Sequence, residues 1–554
     1  MEIINLKWDT TKNFNEYPDE IKKKYKTIYF NNRKKFSNWI GKISKVYSND
    51  IDWWASTPAS RNMYYSNLYK YLCILDTIDI FFKKKNLILD LVIDSKELKK
   101  IINLKYRKKV NIIIIDNKLY KSKFFFLIHY FSVSIFFLLQ FLVVKFFLKN
   151  KFLFNNNNYL TLIDTFVIDK NHKHRFYYGD LDNYFDKKND KTFFIPTFTT
   201  NNFLHFVKLF KNTRNQKNYI FKENFTKISD IIFCFFYIFR KKKFKNFQNY
   251  KGLNFCPLIE EELKYNRDVL SVFLSLYNFR FAKRLRLNSI KIKKVVNWFE
   301  NQSIDKGWNF GFRKFYPKIK TIGYQGFTSQ LENMNTMPTN YEKKYKVIPD
   351  QIVTIGKSFI YSKKEFCQNL DVISGPALRF SDLFNLKKKL KKIFKIVIFL
   401  EGASEKDDQE LILKFIEISE KFPNLTFYIK QHPSLSLKKE NLKLPNNFIM
   451  LSNKFSFIAK RTLLAVAYGN TSATLESLAY GCKLLVPIDN FFDRLNLKKL
   501  KIPTYLYRVC SNQKDIFNSI NYLLKKSNKS TYNKVVIKNK LFNKVTSKNV
   551  KILI

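Results

Sequence analysis

The sequence predicts an α/β protein of two doubly wound domains, with a hydrophobic insertion in the first. Three observations predict it. The stretch Leu463–Asp489, LLAVAYGNTSATLESLAYGCKLLVPID, reads as buried strand, capped turn, short helix and second buried strand. The stretches Lys294–Phe327 and Phe394–Pro433 repeat the alternation of apolar strand, helix and apolar strand. Parallel strands need a crossover, so such units build a parallel sheet with helices on its faces. The chain has 554 residues, enough for two or three domains, and 46% hydrophobic content supplies their cores.

Residues 1–356 are assigned to a first, acceptor-side domain, 357–392 to a connection, 393–530 to a second domain and 531–554 to a basic tail. Glu2–Trp8 reads as the first strand, Thr27–Phe30 and Asp50–Trp54 as core pieces, and Ser66–Phe82 as a helix. Val110–Ile115 reads as a short buried strand. Phe124–Val144 carries no charge and is flanked by lysines. It is long enough to span a bilayer, at about 20 residues. Because the flanking parts are read as one fold, a re-entrant or interfacial anchor is favoured over a span. Ile231–Phe239 followed by Arg240–Lys245 is an apolar run with a basic cluster, which suits an anionic interface or, alternatively, a buried strand with a basic turn. Tyr159–Ile168 and Thr192–Phe198 read as strands. The loop between them, with His172, His174, Asp180, Asp182 and Asp186, matches no metal spacing and is read as solvated.

Net charge is +55. Lysines are scattered, and no arginine-rich arm or zinc pattern is present, so no nucleic-acid partner is expected. The abundance of Lys, Asn, Ile, Phe and Tyr fits an AT-rich genome, and the excess charge fits an anionic membrane surface. Six well-separated cysteines in largely apolar surroundings suggest reduced thiols in a cytosolic protein. The N-terminus has acids early and no long apolar run, so no signal peptide is read.

Chemistry is expected at the carboxyl ends of strands, where open α/β sheets bind ligands. Gly469 ends a strand, and Asn470, Thr471 and Ser472 supply three capping side chains before the helix Thr474–Tyr480, which Gly481 stops. A phosphate at Thr471–Ser472 would meet unpaired N–H groups, the positive end of the helix dipole and hydroxyls. Glu476, one turn on, is placed to accept from a ribose. In the first domain, Val295–Phe299 reads as a strand, Ser303–Tyr316 as a helix and Ile319–Tyr324 as the next strand. Glu300 is the candidate general base, with Asn301, Gln302, Arg313 and Gln325 as acceptor-side residues. The alternative for Glu300 is a local pair with Arg313. In the second domain, Lys430, His432 and Pro433 follow the strand Leu425–Ile429. There His432 is placed to bond or protonate a phosphate, and Lys430 adds fixed charge.

KQHPS followed by YGNTSATLESLAYGCKLLVP resembles the C-terminal domain of GT-B-fold glycosyltransferases. It is similar to bacterial enzymes of capsule, O-antigen and teichoic-acid synthesis, including sialyltransferase-like and glycerophosphotransferase-like members. WFENQSIDKGWNFGFRKFYP with IGYQGF resembles surface-carbohydrate biosynthesis proteins. The resemblance implies a GT-B-like pair of Rossmann-like domains, membrane-associated at the inner face of the bacterial plasma membrane. It implies a glycosyltransferase whose substrates are a nucleotide sugar and a lipid-linked or polysaccharide acceptor, with no cofactor. His432 and Pro433 match the HP motif, Thr471, Ser472 and Thr474 the Ser/Thr turn, and Glu476 the acidic helix residue. Leu400–Glu401–Gly402 matches the sialyltransferase acidic motif only in part. No DxD motif stands at a strand end, so no metal is expected. The rival readings are a non-catalytic glycan-assembly scaffold and a charge-driven polyanion binder.

Overall fold

A computed structural model describes residues 4–12, 14–82, 87–106, 110–114, 123–148, 159–168, 175–185, 191–200, 202–240, 250–264, 268–328, 333–385, 390–402, 405–432, 435, 443–469, 471–488, 497–525 and 534–554. Every described sheet is parallel. β1 (Ile4–Asp9), β2 (Leu87–Ile93) and β3 (Val110–Ile114) form a small sheet in that order. Between its strands run α1 (Asp19–Val46), α2 (Leu68–Phe82) and α3 (Lys96–Tyr106). The segment Thr27–Phe30, read as a separate core piece, is a turn of the long α1, in which Ile28 is buried and Phe30 exposed. The strand at 110–114 is an edge rather than a buried strand, with Ile113 54% exposed. Period-2 alternation is hidden in VNIIII because apolar side chains stand on both faces.

The first large sheet comprises β4 (Leu160–Val167), β5 (Lys191–Phe198), β6 (Ile292–Trp298), β7 (Lys320–Gln325), β8 (Gln351–Thr354) and β9 (Asp371–Ser374), in the order β5-β4-β6-β7-β8-β9. The second comprises β10 (Phe394–Phe399), β11 (Phe427–Lys430), β12 (Phe448–Leu451), β13 (Thr462–Ala467), β14 (Lys483–Pro487) and β15 (Tyr507–Cys510), in the order β12-β11-β10-β13-β14-β15. These are the two Rossmann-like doubly wound domains of the GT-B-like class. Strand order reverses between β4 and β6 in one sheet and between β10 and β13 in the other. Those switch points open a crevice beyond the strand carboxyl ends.

Four further helices matter for the sites: α4 (Lys123–Phe147), α5 (Ile228–Phe235), α6 (Val269–Leu287) and α7 (Ser303–Phe315). The run Ile231–Phe239 is helical, forming part of α5 and then a 3-10 turn, and is not the buried strand given as its alternative. Its basic cluster lies largely outside the described residues. The second domain adds α8 (Glu405–Ser419) and α9 (Ser472–Ala479), and α10 (Lys534–Leu541) follows near the C-terminus.

Two expected boundaries shift. The first sheet runs on through β9, so residues 357–374 belong to the first domain and not to the connection. Residues 534–554 are no solvated tail. Asn543 N–H donates to Ile355 O (2.8 Å), Ala377 N–H donates to Asn543 O (3.0 Å), and α10 lies against α9. A Cβ at Gly356 would fall 2.0 Å from Leu541 O, so this docking needs a bare backbone there. One apolar cluster then runs from Tyr324, Val353 and Ile355 through Phe380, Leu541 and Phe542 to Leu475 and Leu478. The apolar pattern of 534–554 is only Val, Ile, Leu and Phe spaced among lysines, which is why it reads as polar.

A buried ion network joins the N-terminal region to the first large sheet. Glu342 accepts from Arg61 Nη2 (3.0 Å) and from Lys306 Nζ, and Lys306 Nζ also donates to Asn301 Oδ1 (2.6 Å). Glu342 is held down at about 2, with Arg61 and Lys306 together outweighing its burial. Its folded pKa lies below its ordinary value of 4.5, so its stabilisation is complete above pH 4.5 and fades as pH falls toward 2. Glu342→Gln should cost about 3–5 kcal/mol of stability at pH 7, because two buried cations lose their counter-charge. Urea melts at pH 7 and pH 3 check this, and the gap between wild type and variant should narrow in acid.

Candidate functional site

The first-domain side of the crevice is built at the end of β6. Asp305, in the first turn of α7, accepts from Glu300 N–H (3.1 Å), Gln302 N–H (2.9 Å) and Asn297 Nδ2 (2.8 Å). Burial pushes this carboxyl up to about 8, and its Oδ2 fixes the Glu300–Gln302 turn as the hydrogen-bond acceptor of both N–H groups. Glu300 then receives two N–H donors, Trp298 Nε1 (2.9 Å) and Gln302 Nε2 (2.7 Å), one on each oxygen. It lines a cleft of about 220 Å³ with Trp298, Gln302, Tyr177, Phe166 and Leu274. Aromatic walls with one oriented carboxylate suit a hydroxyl-bearing acceptor.

The other expected acceptor-side residues separate from this cleft. Asn301, at φ +57, is buried and donates to Asn335 O (2.7 Å). It serves the ion network and not a ligand. Gln325 is buried and donates to Thr336 O (3.3 Å). Arg313 does not pair with Glu300. It bonds Asp350 (3.0 Å), whose carboxylate also accepts from Thr321 N–H at the amino end of β7, the far end from the crevice. Axial distance explains this, since residue 313 lies about 15 Å along α7 from its start.

On the second-domain side, Thr471 is the N-cap of α9 and its Oγ1 accepts from Ala473 N–H (3.3 Å). Gly469 is buried just beyond β13, and Gly481 stops the helix at φ +78, as its position requires. Ser472 Oγ donates to Glu476 Oε1 (2.7 Å). Desolvation pushes Glu476 up to about 7, against the pull of Ser472 and of the Arg379 guanidinium. Thr474 is buried and donates to Tyr468 O (2.8 Å), so it shapes the turn and is not presented to a ligand. Pro433 and Asn470 lie outside the described residues.

His432 follows β11 and is half-buried; burial first, and then Arg379, lower its pKa below 6.5. It is therefore a neutral imidazole at pH 7. Gly402, just after β10 at φ +67, faces it, and a Cβ there would fall 2.4 Å from His432 Cβ. Lys430 donates at 3.5 Å to Ser452 O, and burial lowers its pKa. Thus β10, β11 and β13 bring Gly402, Lys430, His432 and Thr471–Ser472 to one end of one sheet.

Arg379 is the residue that motif reading missed. It lies on the 3-10 turn Leu378–Phe384 of the connection, with its guanidinium 4.4 Å from the centre of the Phe176 ring. Its charge acts on His432 and Glu476 of one domain and on Tyr177 and Tyr324 of the other, while Tyr177 also feels Glu300. The only signal in the sequence was an arginine in a chain that strongly prefers lysine. Among the described residues, no three His, Cys, Asp or Glu side chains are grouped to hold a metal. All six cysteines are buried, and none forms a disulfide.

No known protein family matches the chain, and no curated protein matches it. Among solved structures the chain is similar to S. aureus MnaA in a co-structure with UDP, at 9% identity and a TM-score of 0.37, covering 70% of this chain and 92% of that one. It is similar to Acinetobacter baumannii MurG at 10% identity and 0.38, covering 72% and 99%. It is also similar to CalG4, the calicheamicin glycosyltransferase, at 10% identity and 0.39, covering 71% and 96%. Likeness at this level assigns no activity.

Gly402→Ala should strain a left-handed position and push His432 aside. The expected cost exceeds ~1 kcal/mol of stability. It should also move the His432 ring resonances in an NMR titration, whereas an unmoved His432 would show that the two residues do not bear on each other.

Proposed function

We propose that this chain is a glycosyltransferase that moves a sugar from a nucleotide-activated donor to a lipid-linked or polysaccharide acceptor in bacterial surface-carbohydrate synthesis. One observation carries the reading. The switch point of one sheet presents the oriented carboxylate of Glu300, the switch point of the other presents a capped helix start with His432, and Arg379 acts on both. Glu300 takes the proton of the acceptor hydroxyl as its oxygen bonds the anomeric carbon and the bond to the departing phosphate breaks. The charge left on that phosphate falls on the N–H groups at Thr471–Ser472, on the Lys430 ammonium and on the imidazole N–H. These groups supply the charge neutralisation that a metal would otherwise give, so chelator should leave turnover unchanged.

The test begins with thermal stabilisation by CMP, CDP, UDP, GDP and their sugars. One nucleotide should raise Tm, and His432→Ala and Thr471→Val should each reduce that rise. Glu300→Gln should keep the nucleotide shift and lose on the order of 10²–10⁴ in kcat. Nucleotide binding by wild type with no transfer to any lipid-linked or polysaccharide acceptor would favour the non-catalytic scaffold.

The same protein is placed by this reading on the inner face of the plasma membrane. The helix α4 is long and apolar enough to cross a bilayer. Yet Tyr130, Ser134, Phe137, Phe141 and Val144 are buried along one stripe, while Phe131, Ile135, Leu139, Leu142 and Phe146 are exposed. A helix held to its own domain along one stripe, with 28% of its apolar window buried, is read as resting in one leaflet and not as crossing alone. Tyr130 donates to the Phe235 carbonyl, Phe131 meets Phe235 at 5.7 Å, and Ile228, Ile232, Phe236 and Phe239 extend the apolar face. The occupant is a bilayer of anionic lipid, matching a net charge of +55. Sedimentation with phosphatidylglycerol vesicles should show binding that Ile135→Glu with Leu139→Glu weakens at least tenfold. Salt alone should weaken it without abolishing it, since apolar burial persists when charge is screened.

A further inference from the structure

We infer that Arg379 is the residue that grips the diphosphate of the donor, reaching it from the connection between the domains. This rests on reading the crevice as a nucleotide-sugar site. The backbone under Arg379 is held from several directions. Tyr324 Oη donates to Pro376 O (2.8 Å) and accepts from Leu378 N–H (3.2 Å). A Cβ at Gly179 would fall 2.6 Å from Leu378 O, so the 175–179 turn closes directly onto this segment. Ala377 N–H bonds Asn543 O (3.0 Å), and Phe380 packs on Phe542 at 4.8 Å between ring centres.

The side chain contrasts with this fixed base. Arg379 is exposed, and among the described residues no carboxylate pairs with it within 4.0 Å. Its contact is the face of Phe176. A guanidinium lying on an aromatic face keeps its N–H fork available, and that planar fork matches phosphate oxygens two at a time. A lysine at the same place would offer a point charge. Arg379 acts on His432 and Glu476, the groups at the second switch point, so an anion held there lies within its field. Because the connection carries it, donor binding through Arg379 also fixes the angle between the domains.

The experiment titrates CDP, UDP and GDP, and the corresponding nucleosides, calorimetrically into wild type, Arg379→Ala, Arg379→Lys and Ser472→Ala, with circular dichroism confirming each fold. For whichever base binds, Arg379→Ala should weaken the diphosphate at least tenfold and leave the nucleoside within twofold. Arg379→Lys should fall between. If Arg379→Ala binds the diphosphate like wild type while Ser472→Ala does not, the role of Arg379 is overturned and the donor site stands. If Arg379→Ala weakens nucleoside and diphosphate equally, the residue shapes the pocket and the phosphate contact is overturned. If folded wild type binds none of these ligands, the donor site itself falls, and this inference with it.

Discussion

The constraint on which the crevice depends is the hydroxyl of Tyr324. It stands at the carboxyl end of β7, stacked on Tyr178 at 5.5 Å and edge-on to Trp298 at 5.8 Å. In that apolar setting it both donates to Pro376 O and accepts from Leu378 N–H. A buried hydroxyl must find such partners, since leaving it or them unpaired costs about 1–3 kcal/mol. One side chain thereby joins the first sheet to the chain leaving it. Burial pushes the phenol up, with the Leu378 N–H pulling the other way, so it remains a donor throughout the neutral range.

A second layer of constraint is electrostatic. A chain at +55 holds its carboxylates where they organise structure. Asp305 collects three N–H groups to shape the Glu300 turn, Glu342 neutralises two buried cations, and Asp230 ties Arg280 and Arg284 of α6 to the start of α5 (2.5 and 2.6 Å). The helix α6 also carries Leu274 into the cleft and packs Phe273 against Tyr130 and Phe137 of α4. The wall of the Glu300 cleft and the seat of the apolar face are therefore one helix.

Much of this was legible in the sequence where local rules and tertiary packing agree. The units at 294–327 and 394–489 read correctly because fully buried parallel strands are near-continuous apolar runs, and because Gly481 and Thr471 mark helix ends. The places of Glu300, His432 and Ser472 just after strands or at a helix start followed from the apolar runs before them. What failed was non-local. Asn301 reads as a site residue, yet its contacts are with Glu342 and Asn335, more than thirty positions away. Thr27–Phe30 lies in a helix too lysine-rich to show a clean apolar stripe. The docking of 534–554 depends on Gly356 and Ile355, which nothing nearby announces. Arg379 belongs to no motif, and non-local contacts, the close approach of Leu378 to Gly179 among them, bring it over Phe176.

The charge state of the second-domain site follows from the same packing. Covering His432 and placing a guanidinium near it hold the imidazole neutral at pH 7. Covering Glu476 lifts its carboxyl into the neutral range, so part of its negative charge is withdrawn. Both effects remove charge that would compete with, or be wasted on, solvent before a ligand arrives. Arg379 and the helix start remain as fixed positive features, which need no proton to act. A phosphate bound there, as proposed, would oppose the depression of His432 and draw a proton toward the imidazole. The same phosphate would favour the neutral acid at Glu476, which lessens repulsion. Burial at a strand end thus leaves the His432 imidazole neutral and the Glu476 carboxyl about half ionised at pH 7, beside the fixed charge of Arg379.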